Sequence, residues 1–257
     1  MASRTSASRS MPSRPPRAPH IAPETISDTS VLRLGAALGL LGFVVQIVMD
    51  RLHPHRVPPN DSANVFREYA GSHGWTAVHI GQFLGTLLIV LAFVALARTL
   101  TRQRGLAGAL ALVATVTAVL VAAVFAVQMA VDGVALKAAI QAWAAAPTPL
   151  DQAATFQVAE TVRWTEKGLG GFFQILNGAT LLSLGCSIAL GDRYPTWLGL
   201  VGAVAGVAFV AGGVTTAHTG FSPGAGRFLL PGTALLAVFL IGVVVLMWRR
   251  GERRPAG

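Results

Sequence analysis

Eight polar side chains stand inside or at the borders of long apolar runs in this sequence: Asp50, His79, Gln82, Gln128, Asp132, Gln174, Asn177 and His218. An amide, acid or imidazole in that setting loses water and must find a partner, so each is a candidate for binding chemistry. Spacing groups them. His79 and Gln82 are three residues apart, Gln128 and Asp132 four, Gln174 and Asn177 three, so each pair shares one face of a helix. The expectation is a polar pocket, opening to one side of a membrane, that takes a small molecule, a lipid or a partner. The same positions also suit helix caps, helix-to-helix hydrogen bonds and contact with interfacial water. Residue types alone do not separate these readings.

Catalytic chemistry has less behind it. Zinc takes imidazole and carboxylate ligands, and His79, His218, Asp132 and Glu160 are of the right types for a metal-dependent membrane hydrolase. No spacing selects that set. His79 and His218 are also chemically admissible as a haem axial pair. Asp50-Arg-Leu-His53-Pro-His55 gathers an acid and two imidazoles, but without a standard ligand spacing it reads as a solvated loop. Glu160, Arg163, Glu166 and Lys167 stand at three- and four-residue offsets and read as salt bridges along an exposed helix. The lone Cys186 excludes an intrachain disulfide and Cys-paired zinc or iron–sulfur sites. Walker loop, His-Glu-x-x-His and dinucleotide fingerprint are all missing from the sequence. The sequence names no catalytic residue, no metal ligand and no cofactor, and leans away from an enzyme.

The elements that must position these groups are helices in a bilayer. Charged residues make up 12% of the chain, about half the share of a soluble domain, which leaves too little polar surface for a water-facing fold. Apolar stretches long enough to cross a membrane recur six times, over 31–49, 76–97, 105–131, 168–190, 196–217 and 228–248. The predicted fold is an all-α, six-transmembrane-helix bundle spanning 31–248. Residues 1–30, rich in Ser, Arg and Pro, are expected to form a disordered cytoplasmic tail, and 249–257 a basic cytoplasmic one.

Orientation follows from the basic residues. Thirteen of the twenty fall on one side if the N-terminus is cytoplasmic, among them the three of Arg98-Thr-Leu-Thr-Arg-Gln-Arg104, a turn without an acid. Both termini are therefore placed in the cytoplasm of a bacterial inner membrane. The net charge of +9 is a topology signal, and nucleic acid is not an expected partner. On the opposite side, Asp61 or Ser62 can cap a short helix with Phe66, Tyr69 and Ala70 on one face and Gly71 at its end. Residues 132–167 read as an extracytoplasmic helical hairpin extending the third and fourth spans. It turns at Pro147-Thr-Pro149, with Thr148 as N-cap, Trp143 and Trp164 near the interface and Gly133 as a kink. Gly35 and Gly39, Gly81 and Gly85, and Gly202 and Gly206 offer close helix packing, with oligomerisation through such faces as the alternative.

Three segments, Trp75-Thr-Ala-Val-His-Ile-Gly-Gln-Phe-Leu-Gly85, Val131-Asp-Gly-Val-Ala-Leu-Lys137 and Tyr194-Pro-Thr-Trp-Leu-Gly-Leu-Val-Gly202, carry a resemblance. They are similar to uncharacterised bacterial, often actinobacterial, multi-helix membrane proteins of the domain-of-unknown-function type. The resemblance supports the architecture and implies no activity. Ligand binding thus leads the functional expectations. Transport of a small solute is the next, although the half of the bundle nearer the cytoplasm offers only Thr115, Thr117, Ser183 and Ser187, whose hydroxyls can bond their own helix.

Overall fold

A computed structural model describes residues 28–54 and 56–252. Most of the expected N-terminal tail, and residues 253–257, lie outside that range. The chain forms α1 (Asp28–Leu52), α2 (Ser62–Ala70), α3 (Trp75–Leu100), α4 (Gly105–Ala130), a π-helical turn (Val131–Leu136), α5 (Lys137–Ala144), α6 (Pro149–Ala189), α7 (Thr196–Thr219) and α8 (Pro223–Glu252). There is no strand among the described residues. Six helices are long and apolar enough to cross a membrane, α4, the π turn and α5 running together as one of 40 residues. This is a multi-pass membrane protein. Leu40, Leu41, Val44, Leu112, Val116, Val119, Val204 and Val207 point outward and exposed, the arrangement that lipid rather than water permits.

Each spanning helix packs on the next: α1 on α3, α3 on α4, α4 on α6, α6 on α7 and α7 on α8. The last then returns to α1. The ring closes in chain order. Its tightest seam is α6 against α7, where glycines meet at seven-residue spacing on antiparallel helices: Gly171 with Gly213, Gly178 with Gly206, Gly185 with Gly199. A Cβ on Gly178 would stand 2.6 Å from the Gly206 carbonyl oxygen, and one on Gly199 2.6 Å from that of Gly185. Backbones this close gain dispersion contacts that lipid cannot supply. The glycine pairs read from sequence are used inside the chain. Gly35 faces Met247 and Ala95, Gly81 faces Met49, and Gly202 faces Phe239.

The two ends of the ring are built differently. At the end bearing the 101–104 and 190–195 turns, the interior is filled by Phe93, Leu96, Leu100, Leu184, Ile188, Leu198, Phe239 and Met247. Ser187 donates to the Ala107 carbonyl at 2.7 Å, bridging two helices where a bond within its own helix was expected. At the other end α4–α5 and α6 form the expected hairpin. Thr148 accepts from the Asp151 amide at 3.2 Å, and Pro149 opens α6. Against this hairpin lies α2, capped by Asp61 and ended at Gly71 as its sequence implied. Its Val65, Phe66 and Tyr69 form a second core with Trp75, Leu136, Ile140 and Trp143. Trp143 is therefore an interior residue of this roof. Trp164 is exposed, with the Lys167 ammonium 4.4 Å above its ring.

Candidate functional site

Beneath that roof is a cavity of about 540 Å³, reached by side chains from α1, the 53–59 segment, α2, α3, α4, the π turn and α6. The π turn decides how α3 and α4 meet. Its wide winding withdraws carbonyls from the regular helical ladder. Two of them accept from the first turn of α3: Trp75 Nε1 donates to the Asp132 carbonyl at 2.9 Å, and Thr76 Oγ1 to the Gly133 carbonyl at 2.8 Å. Gly133 does more than kink the helix. A Cβ there would stand 2.6 Å from that of His79, so the missing side chain lets α3 come close.

His79 is thereby held on both edges. Nδ1 lies 2.7 Å from the Trp75 carbonyl and Nε2 3.0 Å from Asp132 Oδ2. Both residues are buried, His79 at 1% exposure and Asp132 at 6%. Around them stand rings: Tyr69 is 4.0 Å from Trp75, Trp75 4.3 Å from His79, and His53 5.3 Å from His79, centroid to centroid. His53 Nδ1 in turn lies 2.9 Å from the Pro54 carbonyl. Lys137, at the end of the π turn, fixes α2 by donating to the carbonyls of Tyr69 at 2.6 Å, Ala70 at 3.1 Å and Ser72 at 2.8 Å. A cation at a helix C-terminus satisfies carbonyls that the helix cannot.

The other wall is charged. Arg163 pairs with Glu166 through Nη1, donates from Nη2 to the Pro59 carbonyl at 3.2 Å, and lies between the rings of Tyr69 and Phe221. Arg163, Glu166 and Lys167 are each only 2% exposed, which corrects the reading of this stretch as an exposed salt-bridged face. Three- and four-residue offsets are the same on a wet helix and a buried one. Here the 53–61 segment and α2 cover the helix. Burial pushes the Tyr69 phenol up to about 12, with the neighbouring Arg163 guanidinium pulling the other way.

Of the residues singled out by sequence, Asp50, Gln82, Gln128 and Asp132 line the cavity, Asp50 at its exposed rim. His79 stands directly behind Asp132. Gln174 and Asn177 lie lower on α6, outside the lining, and His218 is exposed on the last turn of α7. No α7 residue reaches the cavity, and Thr215 and Thr216 bond their own helix at 2.8 and 2.9 Å. The sequence reading set His53 aside in a solvated loop and Arg163 and Glu166 on an exposed salt-bridged face, and took neither Glu68 nor Tyr69 as a site residue. The density of acids and imidazoles in 50–55 was the one usable signal among them. No protein-family model, curated protein or solved structure matches the chain.

Glu68, Asp132 and Glu166 bring carboxyl groups to a lining whose one guanidinium is that of Arg163. Glu68 Oε2, Gln128 Oε1, Asp132 Oδ1 and Arg163 Nε are buried without a hydrogen-bond partner. Buried polar atoms are seldom left so, because each forfeits its hydration.

Proposed function

We propose that this protein binds a small cationic or hydrogen-bond-donating molecule in the cavity under α2, on the extracytoplasmic side of a bacterial membrane. The observation that carries the reading is the set of unpaired buried atoms: three of the four are acceptors, on the walls of one carboxyl-lined cavity. A donor or a cation completes them, and an anion does not. The orientation rests on arginine. Arg98, Arg102, Arg104, Arg193, Arg249 and Arg250 gather at the end of the ring away from the cavity, and positive loops stay in the cytoplasm. The apolar core at that end leaves no polar path through the bundle, which favours binding over conduction.

Charge-selective labelling tests the proposal without knowing the ligand. Cys186 is replaced by Ala, and Gln82→Cys or, as the reference, exposed Gln152→Cys at the hairpin tip is introduced. Right-side-out vesicles are then treated with methanethiosulfonates bearing a trimethylammonium or a sulfonate group. Cavities of one sign concentrate the opposite ion by 10-fold or more. The cationic reagent should therefore outpace the anionic one in the Gln82→Cys variant by about tenfold relative to the Gln152→Cys variant. Equal ratios in the two variants would remove the cation-selective reading. Labelling of the Gln82→Cys thiol only from the cytoplasmic side would invert the topology.

A further inference from the structure

We infer that His53, His79 and Asp132 form a binding site for a divalent first-row metal ion of the zinc or ferrous type. This deepens the cavity reading above and rests on it, by naming the class of cation.

Three observations converge. One ligand atom from each of these residues lies within 4.8 Å of the other two. The tautomers come next. In His79 the Nδ1–H donates to the Trp75 carbonyl, and in His53 the Nδ1–H donates to the Pro54 carbonyl. A ring nitrogen tied to a backbone carbonyl leaves Nε2 as the basic nitrogen and fixes the ring plane, the usual outer-shell arrangement of a metal-bound histidine. His79 Nε2 then faces a carboxylate oxygen 3.0 Å away. Two acceptors sit that close only with a proton or a metal ion between them. Finally, the second carboxylate oxygen, Asp132 Oδ1, is buried without a partner.

The dimensions suit an ion after a small closure. Zinc bonds to nitrogen and oxygen run about 2.0–2.2 Å, so tetrahedral ligand atoms stand roughly 3.3–3.5 Å apart. His79 Nε2 and Asp132 Oδ2 need to part by a few tenths of an ångström. His53, on the segment following α1 and half-buried, is the ligand placed to move inward. Two imidazoles and one carboxylate leave coordination positions open, as in catalytic zinc and non-haem iron sites rather than closed structural ones. Those positions face the cavity that His53 and Asp132 line. His218, the residue type expected from sequence to complete such a set, is not part of it. His53 takes that place.

The test uses the full chain in detergent, purified through a tag without histidine, stripped with chelator and titrated with Co²⁺. Expected is one ion per chain, with visible d–d absorption that Zn²⁺ displaces. Loss of even an outer-shell partner weakens metal binding 10–100-fold, so His53→Ala and Asp132→Asn should each weaken it by at least about tenfold. His218→Ala should leave it unchanged. Elemental analysis of unstripped protein distinguishes zinc from iron. His53 lies outside the helices, so His53→Ala remains informative if Asp132→Asn unfolds; unfolding of the metal-free variants reports this directly. Absence of a stoichiometric cobalt spectrum in the wild type overturns the site, as does a spectrum untouched by His53→Ala or lost equally in His218→Ala. If cobalt fails while the Gln82→Cys variant still prefers the cationic reagent, the cavity reading survives alone. If that preference is also lost, both fail.

Discussion

Arg163 offers the sharpest test of how the charged wall is built. Replacing it by Met keeps an unbranched chain between Tyr69 and Phe221 and removes the charge. Glu166, 2% exposed, would then be a carboxylate in the interior without its counter-ion. Breaking a buried pair from one side costs about 3–5 kcal/mol, chiefly through the charge left behind. Two further losses are smaller. The cation–ring contacts with Tyr69 and Phe221 are worth about 0.5–1 kcal/mol each, and the Pro59 carbonyl, on an exposed residue, can bond water instead. A loss of roughly 4–7 kcal/mol is expected for Arg163→Met. Arg163→Met with Glu166→Leu should recover most of it, because an apolar replacement of both partners is often neutral. Reversible unfolding in mixed micelles, followed by tryptophan fluorescence, closes the double-mutant cycle. A single Arg163→Met that costs under about 0.5 kcal/mol would refute the reasoning, since only surface positions behave so. A double variant no better than the single would show that the arginine works through packing instead of charge.

Two further outcomes follow from the same geometry. Gly178→Ala sets a methyl 2.6 Å from the Gly206 carbonyl and should destabilise by about 1–3 kcal/mol through forced separation of α6 and α7. Gly168→Ala on the same helix meets nothing within 4 Å and should gain roughly 0.5–1 kcal/mol from helix propensity; equal effects at the two sites would dissolve the seam. The Tyr69 phenol, raised to about 12, keeps its proton in the fold while the unfolded chain releases it near pH 10. Its contribution is thus whole below pH 10 and lost between about 10 and 12, on the order of 2–3 kcal/mol. Tyr69→Phe should flatten that decline. The other tyrosine, Tyr194, is also raised by burial, so phenolate absorbance of the native protein should show little ionisation at pH 10.

The spans, the Thr148 cap and the Asp61 cap were legible because each is a local matter: length and hydropathy for a span, one side chain and one amide for a cap. The glycine seam was not. Four-residue spacing describes one helix alone, whereas Gly171, Gly178 and Gly185 acquire meaning only from Gly213, Gly206 and Gly199 on an antiparallel neighbour. Likewise His79 and Asp132 stood out as polar groups in apolar runs, but their meeting depends on the π turn and on the absent side chain at Gly133. His53 was read as part of a solvated loop because it stands in a proline-rich connection without a standard ligand spacing. Nothing local says that such a segment folds back under α2 and sets its ring 5.0 Å from Trp75.

Depth in the membrane explains why so much charge is tolerated here. From Gly105 to Asp132 the helix rises about 40 Å at 1.5 Å per residue, past a hydrocarbon core of about 30 Å and into the headgroup zone. Glu166 and Arg163 lie at matching height on α6, since that helix begins at Pro149 beyond the turn and descends past the π turn on its way to the far end. A charge at the midplane would lie farther from water on both sides than one at this level. The ring of helices shields the charge laterally, and α2, pinned by Lys137, shields it from above. A site so placed can exchange with water through the 53–59 segment without opening the apolar end. The proposed recognition at one face fits this architecture better than alternating access does. Midplane sites with broken helices serve that purpose, whereas the π turn that shapes this cavity begins about 39 Å of helix rise beyond Gly105.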